Sequence, residues 1–118
     1  MSTHEESGLK IACLQFSPLF GDVAGNLQRS IAMIEKAADA GARIVVLPEL
    51  ANTGYTFKSR AEAFELAEPV PDGRSTQAWA EVAACRNLII VAGIAEREDN
   101  CLYNSAVVLD PSGTLGTY

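Results

Sequence analysis

The sequence predicts an α/β domain built on a mixed sheet. Two observations carry the parallel part. A strand-like run, "LKIACLQF", gives way to a helical period and then to "RIVVL", and a later helical stretch leads into "LIIVAG". A third carries the antiparallel part: the last third of the chain alternates apolar and polar residues around the tight-turn string "DPSG".

The elements follow in order. Leu9 to Phe16 reads as a strand with Ala12, Leu14 and Phe16 on one face and Ile11, Cys13 and Gln15 on the other. Both faces are mostly apolar, so both are expected to be covered. From Val23 to Ala40 the period becomes helical, with Leu27, Ile31, Ile34 and Ala38 in one stripe. Asp22 is placed to cap its start and Gly41 to stop it. Arg43 to Leu47 is a β-branched run typical of a buried parallel strand, which makes a right-handed βαβ unit the default. Pro48 cannot donate to a ladder and ends that strand, so Glu49 opens the loop at its carboxyl end.

Ser59 to Glu62 has capping-box spacing and opens a short helix through Ala67, with Phe64 expected to face inward. "PVPDGRS" is a turn-rich link. A further helix from Thr76 to Arg86 presents Trp79, Val82 and Ala83 to the core and ends at Asn87. Leu88 to Gly93 is a second buried strand, and "EREDN" reads as a charged loop tip. Leu102 to Asp110 alternates, "DPSG" turns the chain, and "TLGTY" starts a returning strand.

Composition narrows function. The chain has 118 residues, enough for one domain with a core, and a net charge of −6, which disfavours nucleic-acid phosphates and anionic membranes as partners. Residues 1–8 are short, polar and acidic, without the apolar run of a signal peptide. They read as a disordered lead before a domain over residues 9–118, with a cytoplasmic address. Cys13, Cys85 and Cys101 form no Cys-x-x-Cys pair, which argues against a disulfide framework or a zinc site. Cys13 and Cys85 read as packing residues and Cys101 as a thiol near a loop tip. The sole histidine, His4, lies in the lead, so a histidine-activated nucleophile and a histidine-rich metal centre are both disfavoured. No phosphate-binding glycine motif occurs, and Asp22 at the first helix start would repel phosphate.

Ligands in open α/β sheets collect at the carboxyl ends of parallel strands, which singles out Glu49. From position alone it is either a solvated loop carboxylate or a group that moves a proton. Tyr55 is a candidate to line a pocket beside it, and is equally readable as a half-buried tyrosine with a wet hydroxyl. Asn104 is a candidate to orient a loop or Glu49 through its amide, though an ordinary strand-edge asparagine is the simpler reading. Asn26 and Asp22 read as loop-to-helix structure.

Taken together, "LKIACLQFSPLFGDVAGN", "RIVVLPELANTGY", "IIVAGIAERED" and "LYNSAVVLDPSGTLGTY" resemble the nitrilase superfamily of carbon–nitrogen hydrolases, in the family's order and over Leu9 to Tyr118. "LPEL" followed by "TGY" resembles its glutamate motif. The resemblance implies the N-terminal half of a mixed-sheet α-β-β-α sandwich, associating as a homo-oligomer. It implies hydrolysis of a small-molecule amide or nitrile with no metal and no cofactor. Glu49 would be the catalytic glutamate of a Glu-Lys-Cys triad: a thiolate attacks, a carboxylate carries the proton, and an ammonium group stabilises developing charge. Such a base is expected in a partly desolvated pocket. The family's lysine and cysteine follow beyond Tyr118. Lys10, Lys36 and Lys58, like the three cysteines, lie outside those motifs. The 118 residues alone are therefore expected to be inactive, and the alternative is a non-catalytic fragment or interaction module of the same fold.

Overall fold

A computed structural model describes residues 8–118; the lead, apart from Gly8, and His4 lie outside the described residues. The elements run β1 (Ile11–Cys13), α1 (Val23–Asp39), β2 (Ile44–Val46), α2 (Arg60–Leu66), α3 (Arg74–Arg86), β3 (Ile89–Glu98), β4 (Cys101–Asp110) and β5 (Gly113–Thr117). They form a five-stranded sheet in sequential order. The β1–β2 and β2–β3 pairs are parallel, and β3–β4 and β4–β5 are antiparallel. The mixed α/β sheet read from the sequence is the one observed.

Local chemistry sets the boundaries. Asp22 accepts from the Gly25 backbone N–H at 3.1 Å, capping the otherwise unpaired first turn of α1. Ser59 caps α2 by accepting from Glu62 N–H at 3.0 Å, and Glu62 reaches back to Lys58 N–H at 2.8 Å. Asn87 closes α3 in the left-handed conformation, φ 54°. At the β4–β5 turn the Asp110 carboxylate accepts from Ser112 Oγ (2.5 Å) and Ser112 N–H (2.8 Å), which holds its pKa below the ordinary carboxylate value.

α1 and α3 pack on one face of the sheet. Leu27 and Ile34 of α1 and Trp79 and Ala83 of α3 meet Val45, Ile90, Ala92, Ile94, Val107 and Leu109 there, all buried. Arg86 of α3 clamps α1 from outside. Its Nη2 donates to Asp39 at 2.6 Å and its Nη1 to Glu35, and these bonds, Asp39's first, raise the guanidinium pKa. Among the described residues, no helix is long and apolar enough to cross a membrane.

Four expectations are corrected. Among the described residues, nothing covers the opposite sheet face. Strand register lines up Ile11, Ile44 and Ile89 in one row and Cys13, Val46, Val91 and Val108 in another, and these side chains are half-buried or exposed, Ile11 by 55%. Cys13 therefore lies on an open face rather than in the core, and Cys85 is exposed on the outer side of α3. "EREDN" is mostly strand, not loop tip. β3 continues to Glu98, paired with Cys101, and only Asp99 and Asn100 turn. An antiparallel partner satisfies that backbone, and tertiary pairing outweighs the weak strand propensity of charged residues. Phe64 does not reach the core: α2 buries no residue, and Phe64 lies half-exposed with the Arg60 guanidinium 5.6 Å from its ring centre.

Candidate active site

The site begins where β2 ends. Leu47 N–H donates to Val91 O at 2.8 Å, the last ladder bond before Pro48. The chain then turns sharply. Leu50 adopts φ 46°, a left-handed conformation uncommon for a branched residue, and its carbonyl accepts from Gly54 N–H (2.9 Å) and Thr53 N–H (3.2 Å). Ala51, Asn52, Thr53 and Gly54 are all buried, so Glu49 projects from a packed loop rather than a free one.

Gly93 makes that path possible. A Cβ there would stand 2.5 Å from Pro48 O, 2.6 Å from Glu49 Cα and 2.8 Å from Leu50 N. The loop crosses directly over the glycine and is pinned by Ala51 N–H to Gly93 O at 2.9 Å. An isolated glycine inside a strand marks such a close backbone approach, a signal available in "IIVAGIA". Gly93→Ala is expected to force backbone against backbone, with an overpacking cost of about 1–3 kcal/mol. Urea unfolding measures this, and a midpoint equal to the parent's would contradict the close approach.

Asn104 of β4 lies on the same side. Its Nδ2 donates to Glu49 Oε1, so the structure brings these two residues together. Tyr55 is elsewhere. It is 55% exposed and lines a cleft at the carboxyl ends of β1 and β2 with Leu14, Phe16, Pro18, Val46 and Pro48; Glu49 is not among its walls. That cleft's volume, about 680 Å³, suits a small molecule. Asn104 also borders a smaller, mainly apolar hollow with Leu50, Phe57, Ala63 and Ala95. The desolvated pocket expected around Glu49 is not formed by these residues. Glu49 is exposed, and among the described residues nothing covers the sheet face on its side.

Beneath the loop lies a polar network. Asn26, buried in α1, donates to Leu19 O (2.8 Å) and Asn52 O (2.9 Å). Asn52 Oδ1 accepts from Ala95 N–H at 3.3 Å, and its Nδ2 donates to Glu68 Oε2 at 2.9 Å. Sequence reading placed Asn26 in loop-to-helix structure and singled out neither Asn52 nor Glu68. Their pairing spans unrelated segments, and neither sits in a local pattern that announces it.

An exposed carboxylate held at a parallel-strand exit by an amide, above a buried loop, defines an α/β domain that presents an acid–base group. The carbon-nitrogen hydrolase family pattern matches residues 10–118, and the chain belongs to that family. A protein of Pyrococcus abyssi described as a nitrilase is 42% identical over 110 residues, spanning 93% of this chain and 42% of its own length. Human omega-amidase NIT2 is 40% identical over 108 residues, spanning 91% of this chain and 37% of its own. The crystal structure of Saccharomyces cerevisiae Nit3, a member of branch 10 of the nitrilase superfamily, superposes with a TM-score of 0.82 at 27% identity, over 93% of this chain and 43% of that one. This chain thus spans about two fifths of the length of these relatives.

Proposed function

We propose that this chain is the glutamate-bearing part of a thiol amidohydrolase acting on a small aliphatic amide, with nitriles as the neighbouring possibility. Glu49 takes the proton of a cysteine thiol as the thiolate attacks the substrate carbon, then returns it to the departing amine. Asn104 fixes the carboxylate's direction; Tyr55, which lines the separate cleft at the ends of β1 and β2, has no part in the step. The lysine and the cysteine of the triad come from the part of the family domain that follows these residues. The observation that carries the reading is the Asn104–Glu49 bond at the β2 exit. The apolar hollow beside Asn104 supports an aliphatic substrate, and the names of the matched amidases support an amide. A cytoplasmic, oligomeric enzyme without metal or cofactor belongs to the same reading.

A second reading is an interaction module. The uncovered rows from Ile11 to Ile89 and from Cys13 to Val108 favour it, since contiguous exposed apolar surface marks an association face.

Ammonia release from small amides and nitriles separates the two, measured on a polypeptide in which these residues are followed by the rest of the family domain. Turnover that survives the combined changes Cys13→Ser, Cys85→Ser and Cys101→Ser, and that a thiol alkylator then abolishes, is the expected result. Loss of turnover in the serine variant would put the nucleophile inside this chain, and insensitivity to alkylation would end the thiol mechanism.

A further inference from the structure

We propose that Glu68 and Asn52 together are positioning residues for Glu49; this rests on Glu49 acting as the base. Three donors converge on the Glu68 carboxylate. Ser75 N–H reaches Oε1 at 2.7 Å, while Ser75 Oγ and Asn52 Nδ2 (2.9 Å) both reach Oε2. All three partners donate, so the position is built for a group that only accepts. Ser75 lies in the first turn of α3, whose N-cap, Gly73, has no side chain to offer. Glu68 therefore serves as a remote cap, and a carboxylate is favoured there by the helix dipole.

The same carboxylate ties α3 to the loop that carries Glu49. Asn52 is fully buried, and its amide is used in both directions: it donates to Glu68 and accepts from Ala95 N–H on β3. Glu68 is itself sewn to β3, donating its N–H to Ala95 O (2.9 Å) and accepting at its carbonyl from Arg97 N–H (3.0 Å). The loop from Leu50 to Gly54, bonded to β3 at Ala51, is thus tied to α3 as well through one side-chain pair, three residues after Glu49. A catalytic group that drifts by about 1 Å loses about 10²-fold in rate. That is the effect this pair is placed to prevent.

The test exchanges donor and acceptor, in the polypeptide that carries the rest of the family domain. Asn52→Asp alone sets carboxylate against carboxylate. Glu68→Gln alone turns a donor toward a donor. The double variant restores the pairing. The new carboxylate at position 52 still accepts from Ala95 N–H and now accepts from the new amide at position 68, whose carbonyl oxygen still accepts from Ser75 N–H. Each single change is expected to lower kcat about 10²-fold with KM little altered, and the double variant to recover most of the loss. Ile34→Ala, a core truncation in α1 remote from the loop, controls for stability: its melting temperature falls while kcat below that temperature does not. If Asn52→Asp fails to fold, Glu68→Gln and the double variant carry the comparison. Wild-type kcat in both single variants, or a double variant no better than the worse single one, overturns the proposal, provided Glu49→Gln is inactive. An active Glu49→Gln instead overturns the underlying reading.

Discussion

Glu49→Gln is expected to lower turnover by about 10²–10⁴-fold, the range removed with a general acid–base group, while leaving the thermal midpoint unchanged. The two halves of this expectation have separate causes. Glutamine has the shape of glutamate but cannot carry a proton between thiol and amine. Its amide oxygen still accepts from Asn104 Nδ2, the one side-chain bond made to Glu49 among the described residues. Glu49 is also exposed, so the exchange leaves no buried group without a partner. Parallel measurement of amide hydrolysis and thermal unfolding checks both halves. Full turnover in the variant would remove Glu49 from the chemistry. A large drop in midpoint would instead make it a structural carboxylate, the plainer of the two readings its position allows. Asn104→Ala should fall between the parent and Glu49→Gln, because the base remains but its direction is freed.

Much of this architecture was legible from periodicity and punctuation. "RIVVLPE" encodes both a buried strand and its end, because proline removes the next ladder donor. Asp22, Ser59 and Asn87 mark helix ends through side-chain or backbone chemistry that acts within a few residues, and each acts as read. Where the reading failed, the deciding partner was distant in sequence or not among the described residues. Glu96 to Glu98 are strand because β4 pairs with them, a contact that charge pattern does not announce. Ile11, Cys13 and Val91 carry the apolar pattern of a doubly covered sheet, yet among the described residues helices α1 and α3 cover only the other face. The pattern records what the sheet is built to meet, and the exposure records what these residues supply. The candidate site divides in the same way. Glu49 and Asn104 stood out from motif and position, whereas the Asn52–Glu68 pair joins a loop to the approach of α3 and has no local signature.

The largest stability effect is expected at Trp79. It is fully buried between the helices and the sheet, and its Nε1 donates to Ser30 Oγ at 3.0 Å, while Ser30 in turn donates to Leu27 O at 2.8 Å. Trp79→Ala removes the largest buried side chain and leaves a cavity that a close-packed interior closes only in part, at a cost of about 3–5 kcal/mol. Domains of this size have about 5–15 kcal/mol in total, so the variant should be near the edge of folding at ambient temperature. Trp79→Phe should cost distinctly less, because the ring still fills part of the volume and Ser30 keeps its bond to Leu27 O. Urea unfolding of the two variants beside the parent measures the difference. A cost below about 1 kcal/mol for alanine would mean that the helix layer does not depend on this contact. The consequence extends to the site. Trp79 holds α3 against the sheet, the first turn of α3 holds Glu68 through Ser75, and Glu68 holds Asn52 three residues beyond Glu49. Loosening α3 at its centre should therefore raise hydrogen exchange in the loop from Leu50 to Gly54 before it raises exchange at the β3–β4 hairpin turn, which is bound within its own ladder.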